Sequence, residues 1–208
     1  MQNRLCGREQ EFGIKISYAK NFKKRGLIDS EDVEDYVLEK ILDVIPRLFP
    51  AIRVNDELWL QNGSKIYIDG NRFEAATAEY LVGSLDGVRQ EKALERILVK
   101  AIQIIIRKSR GLKSIILYKN NAGPSDEDLY KDEATYGTHY NYSYLESKRP
   151  EVFSLMRNFI PASLILTGNG HVLRSNSGKV VYVISQRARH IKKMKADRTT
   201  SDRPLLNT

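Results

Sequence analysis

The sequence predicts an α+β fold in which helices pack on one face of a mainly antiparallel β-sheet. Two long segments have apolar residues at helical spacing, and several shorter segments alternate apolar and polar residues with a period of two. Between two of the alternating segments stands Asn62-Gly63. This dipeptide is typical of a type I′ hairpin turn, because both central residues of that turn need a positive φ.

Composition predicts one globular domain over residues 1–208. The chain is 41% hydrophobic and 29% charged, which is ordinary for a globular protein, and its length allows a sizeable core. It contains no run of 18 apolar residues, and Met1 to Arg8 lacks the apolar stretch of a signal peptide, so we expect no membrane association. The single cysteine, Cys6, cannot form an internal disulfide, which together with the missing signal predicts a cytoplasmic location.

The first predicted helix is amphipathic and covers the sheet. Asp29 or Ser30 is its N-cap, acidic residues follow in the first turn, and Pro46 and Pro50 end it before the hairpin. Its apolar positions at helical spacing are Val33, Val37, Ile41, Val44, Ile45 and Leu48.

A second long helix is predicted from Gln90 to Arg110, and Gly111 is suited to close it. Its apolar stripe consists of Leu94, Ile97, Leu98, Ala101, Ile102, Ile105 and Ile106. The polar segment before it, Thr77 to Asp86, is predicted to be a loop or a short helix.

The remaining segments alternate between strands and loops. Strands are predicted for Ser114 to Asn121, Thr135 to Leu145 and Gly178 to Arg187, a helix for Glu151 to Phe159, and loops for Lys20 to Leu27 and Ala122 to Glu133. The second of these strands contains His139. A lone histidine on a strand is more often structural than a ligand, so spacing alone predicts a structural role for it.

Polar side chains share one face of the predicted hairpin and of the first strand. After the turn, Ile66 and Ile68 point to one side, while Lys65, Tyr67 and Asp69 point to the other. Glu9 and Glu11 lie two residues apart in the amino-terminal strand, so both carboxylates leave the same face.

If the first strand lies beside the hairpin, Glu9, Glu11, Asp69 and Glu74 surround one spot. Carboxylates held together repel each other unless a cation lies among them, and oxygen ligands favour magnesium over zinc. Magnesium usually brings a nucleotide phosphate with it. The alternative is a solvated edge strand with Asp69-Gly70 as the start of a loop, and the pattern alone leaves both interpretations open.

The net charge of +8 favours an anionic partner, and much of the excess lies in Arg187 to Arg198. A solvated basic helix end is an equal interpretation of that segment. The sequence contains no phosphate-binding G-x-x-x-x-G-K-[ST], no H-E-x-x-H and no C-x-x-C, and nothing supports a Ser-His-Asp or Cys-His arrangement. No helix-turn-helix, zinc-finger or RNP pattern indicates nucleic-acid binding.

Taken together, a series of short blocks resembles the Pup ligase and depupylase family, which belongs with the glutamine-synthetase-like carboxylate-amine ligases. The blocks keep the family's order and extend from Gly7 to Thr208. They are G-R-E-Q-E-F-G (7–13), N-G-S-K-I-Y-I-D (62–69), E-A-A-T-A-E (74–79), L-Y-K-N-N (117–121), Y-G-T-H-Y-N-Y (136–142), T-G-N-G (167–170), S-Q-R-A-R-H-I (185–191) and R-P-L-L-N-T (203–208). The resemblance implies a partial glutamine-synthetase-like fold, equivalent to the N-terminal part of the family's large catalytic domain.

The resemblance also implies ATP- and magnesium-dependent isopeptide chemistry on the C-terminal glutamate of the small acidic protein Pup. The glutamate side-chain carboxylate is activated as a γ-glutamyl phosphate, which a substrate lysine then attacks. Matching positions make Asp69 the catalytic base. They put Glu9, Tyr67 and Glu74 at magnesium, and Lys65 and Thr77 at ATP, with Lys65 where the family typically has arginine.

Three functions stay open at this point. The short separation of Glu9 and Asp69 and the start of the chain favour ligation, whereas the five-residue step from Asp69 to Glu74 resembles that of depupylases, which hydrolyse the same bond. A non-catalytic basic binding module for an acidic protein is the third.

The chain departs from the family's pattern at several positions. Tyr140 replaces a glutamate, Arg72-Phe73 replaces His-Pro, and Ser163 stands where arginine is usual. Family members also continue beyond the position of Asn207-Thr208. The sequence is therefore expected to be a fragment, to need a second polypeptide that completes the site, or to have lost the chemistry.

Overall fold

The computed structural model divides the chain into two compact units, the first within Met1–Lys119 and Thr138–Ser143 and the second within Asn120–Gly137 and Tyr144–Thr208. It describes residues 4–20, 22, 32–70, 72–119, 136–167, 170–174, 179–185, 188–197 and 204–207. The predicted N-cap at Asp29 or Ser30, the loop Ala122 to Glu133 and most of the loop Lys20 to Leu27 lie outside these residues. The single domain over 1–208 stays a prediction.

The first unit is built on an antiparallel sheet. Its described strands are β1 (Leu5–Tyr18), β2 (Ala51–Val54), β3 (Glu57–Leu60), β4 (Lys65–Asp69), β5 (Arg72–Ala76), β6 (Tyr80–Leu81), β7 (Leu112–Tyr118) and β8 (Thr138–Tyr142). The order is β2-β3-β4-β5-β1-β6, and β7 and β8 also pair with β1. The long first strand is therefore the element that joins the hairpins to the rest of the sheet.

Two helices, α1 (Asp32–Val44) and α2 (Asp86–Lys108), pack against one face of this sheet. Alternate residues of the strands, among them Phe12, Ile66 and Phe73, are buried beneath them. From the helices, the buried core includes Val33, Val37, Leu38, Ile41, Leu42, Leu94, Leu98, Ala101, Ile102 and Ile105. The predicted fold class, an α+β fold with a mainly antiparallel sheet and helices on one face, is thus confirmed.

The first helix differs from the prediction at its carboxyl end. After Val44 the backbone tightens into a 3-10 turn, Ile45–Arg47, which contains Pro46. Proline has no N–H to donate to a continuing α-helix. Leu48 then falls outside the helix and is exposed, whereas the sequence placed it in the apolar stripe.

The turn between β3 and β4 is not of type I′. Gly63 has a φ of +84°, as predicted. Asn62, however, lacks the positive φ that a type I′ turn needs at both central residues, since Asn55 is the only non-glycine residue with a positive φ among those described. Instead the Asn62 side chain accepts a hydrogen bond from the Ser64 backbone N–H at 3.1 Å. The Leu60 N–H donates to the Ser64 carbonyl at 2.8 Å. A longer loop with an asparagine side-chain bond therefore replaces the expected two-residue turn.

The second unit contains the helix α3 (Arg149–Thr167) and two small sheets. The sequence predicted this helix only to Phe159, but it continues through Pro161. Strands β9 (His171–Arg174) and β10 (Val180–Val183) pair antiparallel, and β11 (Lys193–Ala196) and β12 (Pro204–Asn207) pair parallel. Among the described helices, none has the length and apolar character needed to cross a membrane.

Candidate functional site

The face of the sheet away from the helices holds a group of carboxylates, here called the carboxylate face: Glu9 and Glu11 of β1, Asp69 of β4, and Glu74 of β5. Side chains alternate along each strand, so the burial of Phe12, Ile66 and Phe73 under the helices directs their neighbours outward from the core. Strand register then aligns the acidic positions, because Glu11 lies opposite Glu74, and Glu74 lies opposite Tyr67. Five of the predicted site residues, Glu9, Lys65, Tyr67, Asp69 and Glu74, therefore share one face.

Three of the carboxylates contact another side chain of the same protein. Tyr67 Oη donates a hydrogen bond to Glu74 Oε2 at 2.8 Å, and both residues are buried. Glu9 Oε2 lies 2.8 Å from His139 Nδ1. Arg72 Nη1 lies 3.1 Å from Glu11 Oε2. The face thus combines negative charges with a phenol, an imidazole and a guanidinium.

Burial and like charge raise the pKa of Glu74 to about 8. Desolvation is the main cause, and the nearby carboxylates of Glu9 and Glu11 add to it, while His139 acts in the opposite direction. Only 3% of Glu74 is exposed, so water screens this repulsion weakly. A carboxyl group in this position is neutral near pH 7 unless a cation lies beside it.

The donor set fits a hard divalent cation. Carboxylate and phenol oxygens are the ligands that magnesium prefers, and a cation among them would offset the repulsion at Glu74. As arranged, the described part of the chain contains no group of three or more His, Cys, Asp or Glu side chains that could hold a metal ion.

Lys65 is held at the edge of this face by an ion pair and two aromatic rings. Its Nζ lies 3.0 Å from Glu57 Oε1, 3.8 Å from the centre of the Tyr67 ring and 5.4 Å from that of Trp59. Trp59 Nε1 donates to Glu57 Oε2 at 3.2 Å. The sequence did not indicate Glu57 or Trp59, although their alternation with Leu58 would have placed both on the same face as Lys65.

Thr77 is not brought together with the other predicted residues. Its Oγ1 accepts a hydrogen bond from the Arg8 backbone N–H at 3.0 Å, and its own N–H donates to the Arg8 carbonyl. With Leu94 and Glu91 of α2 it lines a small cavity on the helix side of the sheet. Its predicted contact with ATP stays a prediction.

His139 is placed at the carboxylate face by pairing between β1 and β8, which sets it opposite Glu9. Its Nε2 also lies 4.0 Å from Glu11 Oε1. The sequence predicted a structural role for it, and its strand was recognised, but spacing within one strand does not reveal which strand lies beside it.

The chain matches the family model described as "Pup-ligase protein" over residues 4–208. Curated relatives named Pup–protein ligase include those of Geodermatophilus obscurus (30% identical over 218 residues) and Mycobacterium tuberculosis (29% identical over 213 residues). Each comparison covers all of this chain and 42% of the relative, so the chain spans less than half the length of these proteins.

A solved structure has the same fold. It is the crystal structure of the complex between the prokaryotic ubiquitin-like protein Pup and its ligase PafA. The TM-score is 0.66 at 24% identity, and the match covers 99% of this chain and 38% of the solved chain. This similarity supports the architecture described above.

Proposed function

We propose that this chain, which belongs to the Pup-ligase protein family, forms the part of a Pup–protein ligase that binds ATP with a divalent cation and joins a glutamate side chain to a lysine. The observation that supports this proposal is the alignment of Glu9, Glu11, Tyr67 and Glu74 on one sheet face by strand register. Relatives of this name are more than twice as long as this chain.

In the proposed reaction, the γ-carboxylate of a C-terminal glutamate attacks the γ-phosphate of ATP, and ADP leaves. The amine of a substrate lysine then attacks the acyl carbon of the γ-glutamyl phosphate, and inorganic phosphate leaves. Asp69 accepts the proton that the amine loses. Because it lies at the exposed end of β4, an incoming lysine can reach it.

The other proposed site residues bind magnesium and ATP and orient them. Glu9, Glu74 and Tyr67 would hold magnesium, which neutralises phosphate charge when it is bound. Lys65 would contact a phosphate as a single positive charge, after releasing Glu57. Thr77 is proposed to lie near ATP from the family's pattern alone. Positioning supplies most of the rate in such a transfer.

The proposed protein substrate is an acidic, Pup-like protein, for which the net charge of +8 is favourable. A second polypeptide that supplies the regions present in the longer relatives belongs to the same proposal. Mixing the chain with candidate acidic proteins at low and high salt, followed by size-exclusion chromatography, would test binding apart from chemistry.

Mass spectrometry distinguishes ligation from hydrolysis. Incubation with a glutamate-terminated Pup-like protein, a lysine-containing acceptor, ATP and magnesium should give a conjugate one water lighter than the sum of its parts. Asp69→Asn is the inactive control. Cleavage of a preformed conjugate, without any formation of one, would replace the ligase proposal with a hydrolytic one, which the five-residue step from Asp69 to Glu74 favours.

A further inference from the structure

Arg72 puts a fixed positive charge within the carboxylate face. It opens β5 directly opposite Asp69, and its Nη1 contacts Glu11 Oε2 at 3.1 Å. The Glu11 side chain is only 9% exposed, and that of Arg72 is 27% exposed. Their ion pair is therefore partly shielded from water, which strengthens it relative to a pair on the surface.

Glu11 needs such a partner when no metal ion is bound. A buried carboxylate without a compensating charge is strongly destabilising, and Glu9 and Glu74 lie on the same face. The two oxygens of Glu11 already face positive or potentially positive groups, since Oε2 contacts Arg72 and Oε1 lies 4.0 Å from His139 Nε2. A divalent ion approaching Glu11 would have to compete with the guanidinium.

We propose that Arg72 is a positioning residue that serves as a built-in cation: it engages Glu11, stabilises the face without metal, and weakens divalent-ion binding there. The inference rests on the proposed function, because the ion concerned is the one assigned to Glu9 and Glu74. By holding Glu11, Arg72 leaves the ion to Glu9, Tyr67 and Glu74.

Arg53 provides a matched control. It also forms paired contacts with carboxylates, 2.6 Å from Glu39 Oε2 and 2.8 Å from Asp43 Oδ1. These partners belong to α1, so Arg53 acts on the opposite side of the sheet from Glu11. Arg53→Gln removes the same charge from the protein without changing the carboxylate face.

The test is a manganese titration of the full chain without nucleotide, in which electron paramagnetic resonance measures free Mn²⁺. Manganese shares magnesium's preference for oxygen ligands. Arg72→Gln should tighten Mn²⁺ binding by about tenfold, because a positive charge near the ion is removed. Arg72→Lys, which keeps the charge, and Arg53→Gln should bind Mn²⁺ as the wild type does. Unchanged or weaker binding in Arg72→Gln would overturn the proposal.

Thermal unfolding provides a second measurement that separates this role from a merely structural one. In EDTA, Arg72→Gln should have a lower Tm than the wild type, and saturating Mn²⁺ should raise its Tm more than it raises that of the wild type. A lower Tm that Mn²⁺ does not recover would show a structural role only and overturn the inference.

Glu9→Gln distinguishes failure of this inference from failure of the proposed function. If Glu9→Gln weakens Mn²⁺ binding but Arg72→Gln leaves it unchanged, the ion site stands and the inference about Arg72 is wrong. If Arg72→Gln tightens binding that Glu9→Gln does not affect, the ion is not the one assigned to Glu9, and both that assignment and the inference that rests on it fail. Absence of Mn²⁺ binding in every variant rejects both.

Discussion

Phe73 and Glu74 are neighbours in β5 and are almost equally buried, with 2% and 3% exposed, yet they face opposite sides of the sheet. Phe73 packs among apolar side chains beneath the helices, where burial is favourable. Glu74 meets Glu9 and Glu11, and its pKa rises to about 8. Burial therefore stabilises the fold on the apolar face. On the carboxylate face it strengthens electrostatic repulsion, which a bound cation could relieve.

Asp69→Asn, a change on the carboxylate face, should have the largest effect, and this effect should be on the ligation rate. Loss of the proposed base should reduce the ligation rate by about 10²–10⁴-fold, while the free energy of unfolding stays close to that of the wild type because the residue is exposed. Single-turnover conjugation followed by mass spectrometry, together with urea unfolding, measures both quantities. Full activity in this variant would remove Asp69 from the mechanism.

Phe73→Ala tests the apolar face and should lower the free energy of unfolding by about 4 kcal/mol, because it opens a cavity beneath the helices. Urea denaturation monitored by circular dichroism is the measurement. Ile52→Ala also truncates a large apolar side chain, but at a position that is 72% exposed, so it should change stability far less. Equal losses in the two variants would contradict the assignment of the core.

Glu74→Gln should change how stability depends on pH. The pKa of Glu74 in the folded protein, about 8, exceeds its ordinary value of 4.5, so the folded state retains the proton more strongly. Its contribution is fully present below pH 4.5 and is lost as pH rises through 8. In EDTA, wild-type stability should therefore fall over this range, by on the order of 3 kcal/mol.

The glutamine variant should flatten that pH dependence, because its amide does not ionise and its oxygen can still accept the Tyr67 hydrogen bond. Urea unfolding at several pH values between 4.5 and 8.5 provides the comparison. Parallel curves for the wild type and Glu74→Gln would indicate that repulsion at Glu74 does not limit stability.

Arg53→Gln should have the smallest effect, below about 1 kcal/mol in the free energy of unfolding, because its ion pairs with Glu39 and Asp43 are partly exposed. Raising the salt concentration should shrink the difference further. A loss that persists in high salt would mean that Arg53 contributes through packing of its aliphatic stem.

Much of the site could be predicted because it depends on local geometry. Alternation alone separated Ile66 and Ile68 from Lys65, Tyr67 and Asp69, and the expected pairing of the first strand with the hairpin added Glu9 and Glu74. The resemblance to the Pup ligase and depupylase family supplied the proposed roles. The turn type at Asn62-Gly63 was wrong, because a side-chain hydrogen bond to Ser64 competes with the backbone pattern of a two-residue hairpin. Thr77, named only from the resemblance, lines a small cavity with Leu94 and Glu91 of α2, and its contact with ATP stays a prediction.

The sequence by itself determined the helix stripes, the strand alternation and hence the division of the sheet into an apolar and a polar face, because these follow from fixed backbone periods. Only the tertiary structure decided which polar residues meet. His139 and Glu9 are 130 residues apart in the chain, and Arg72 and Glu11 are 61 apart, yet each pair is in contact. Cross-strand register brings them together, and register depends on the packing of the entire sheet.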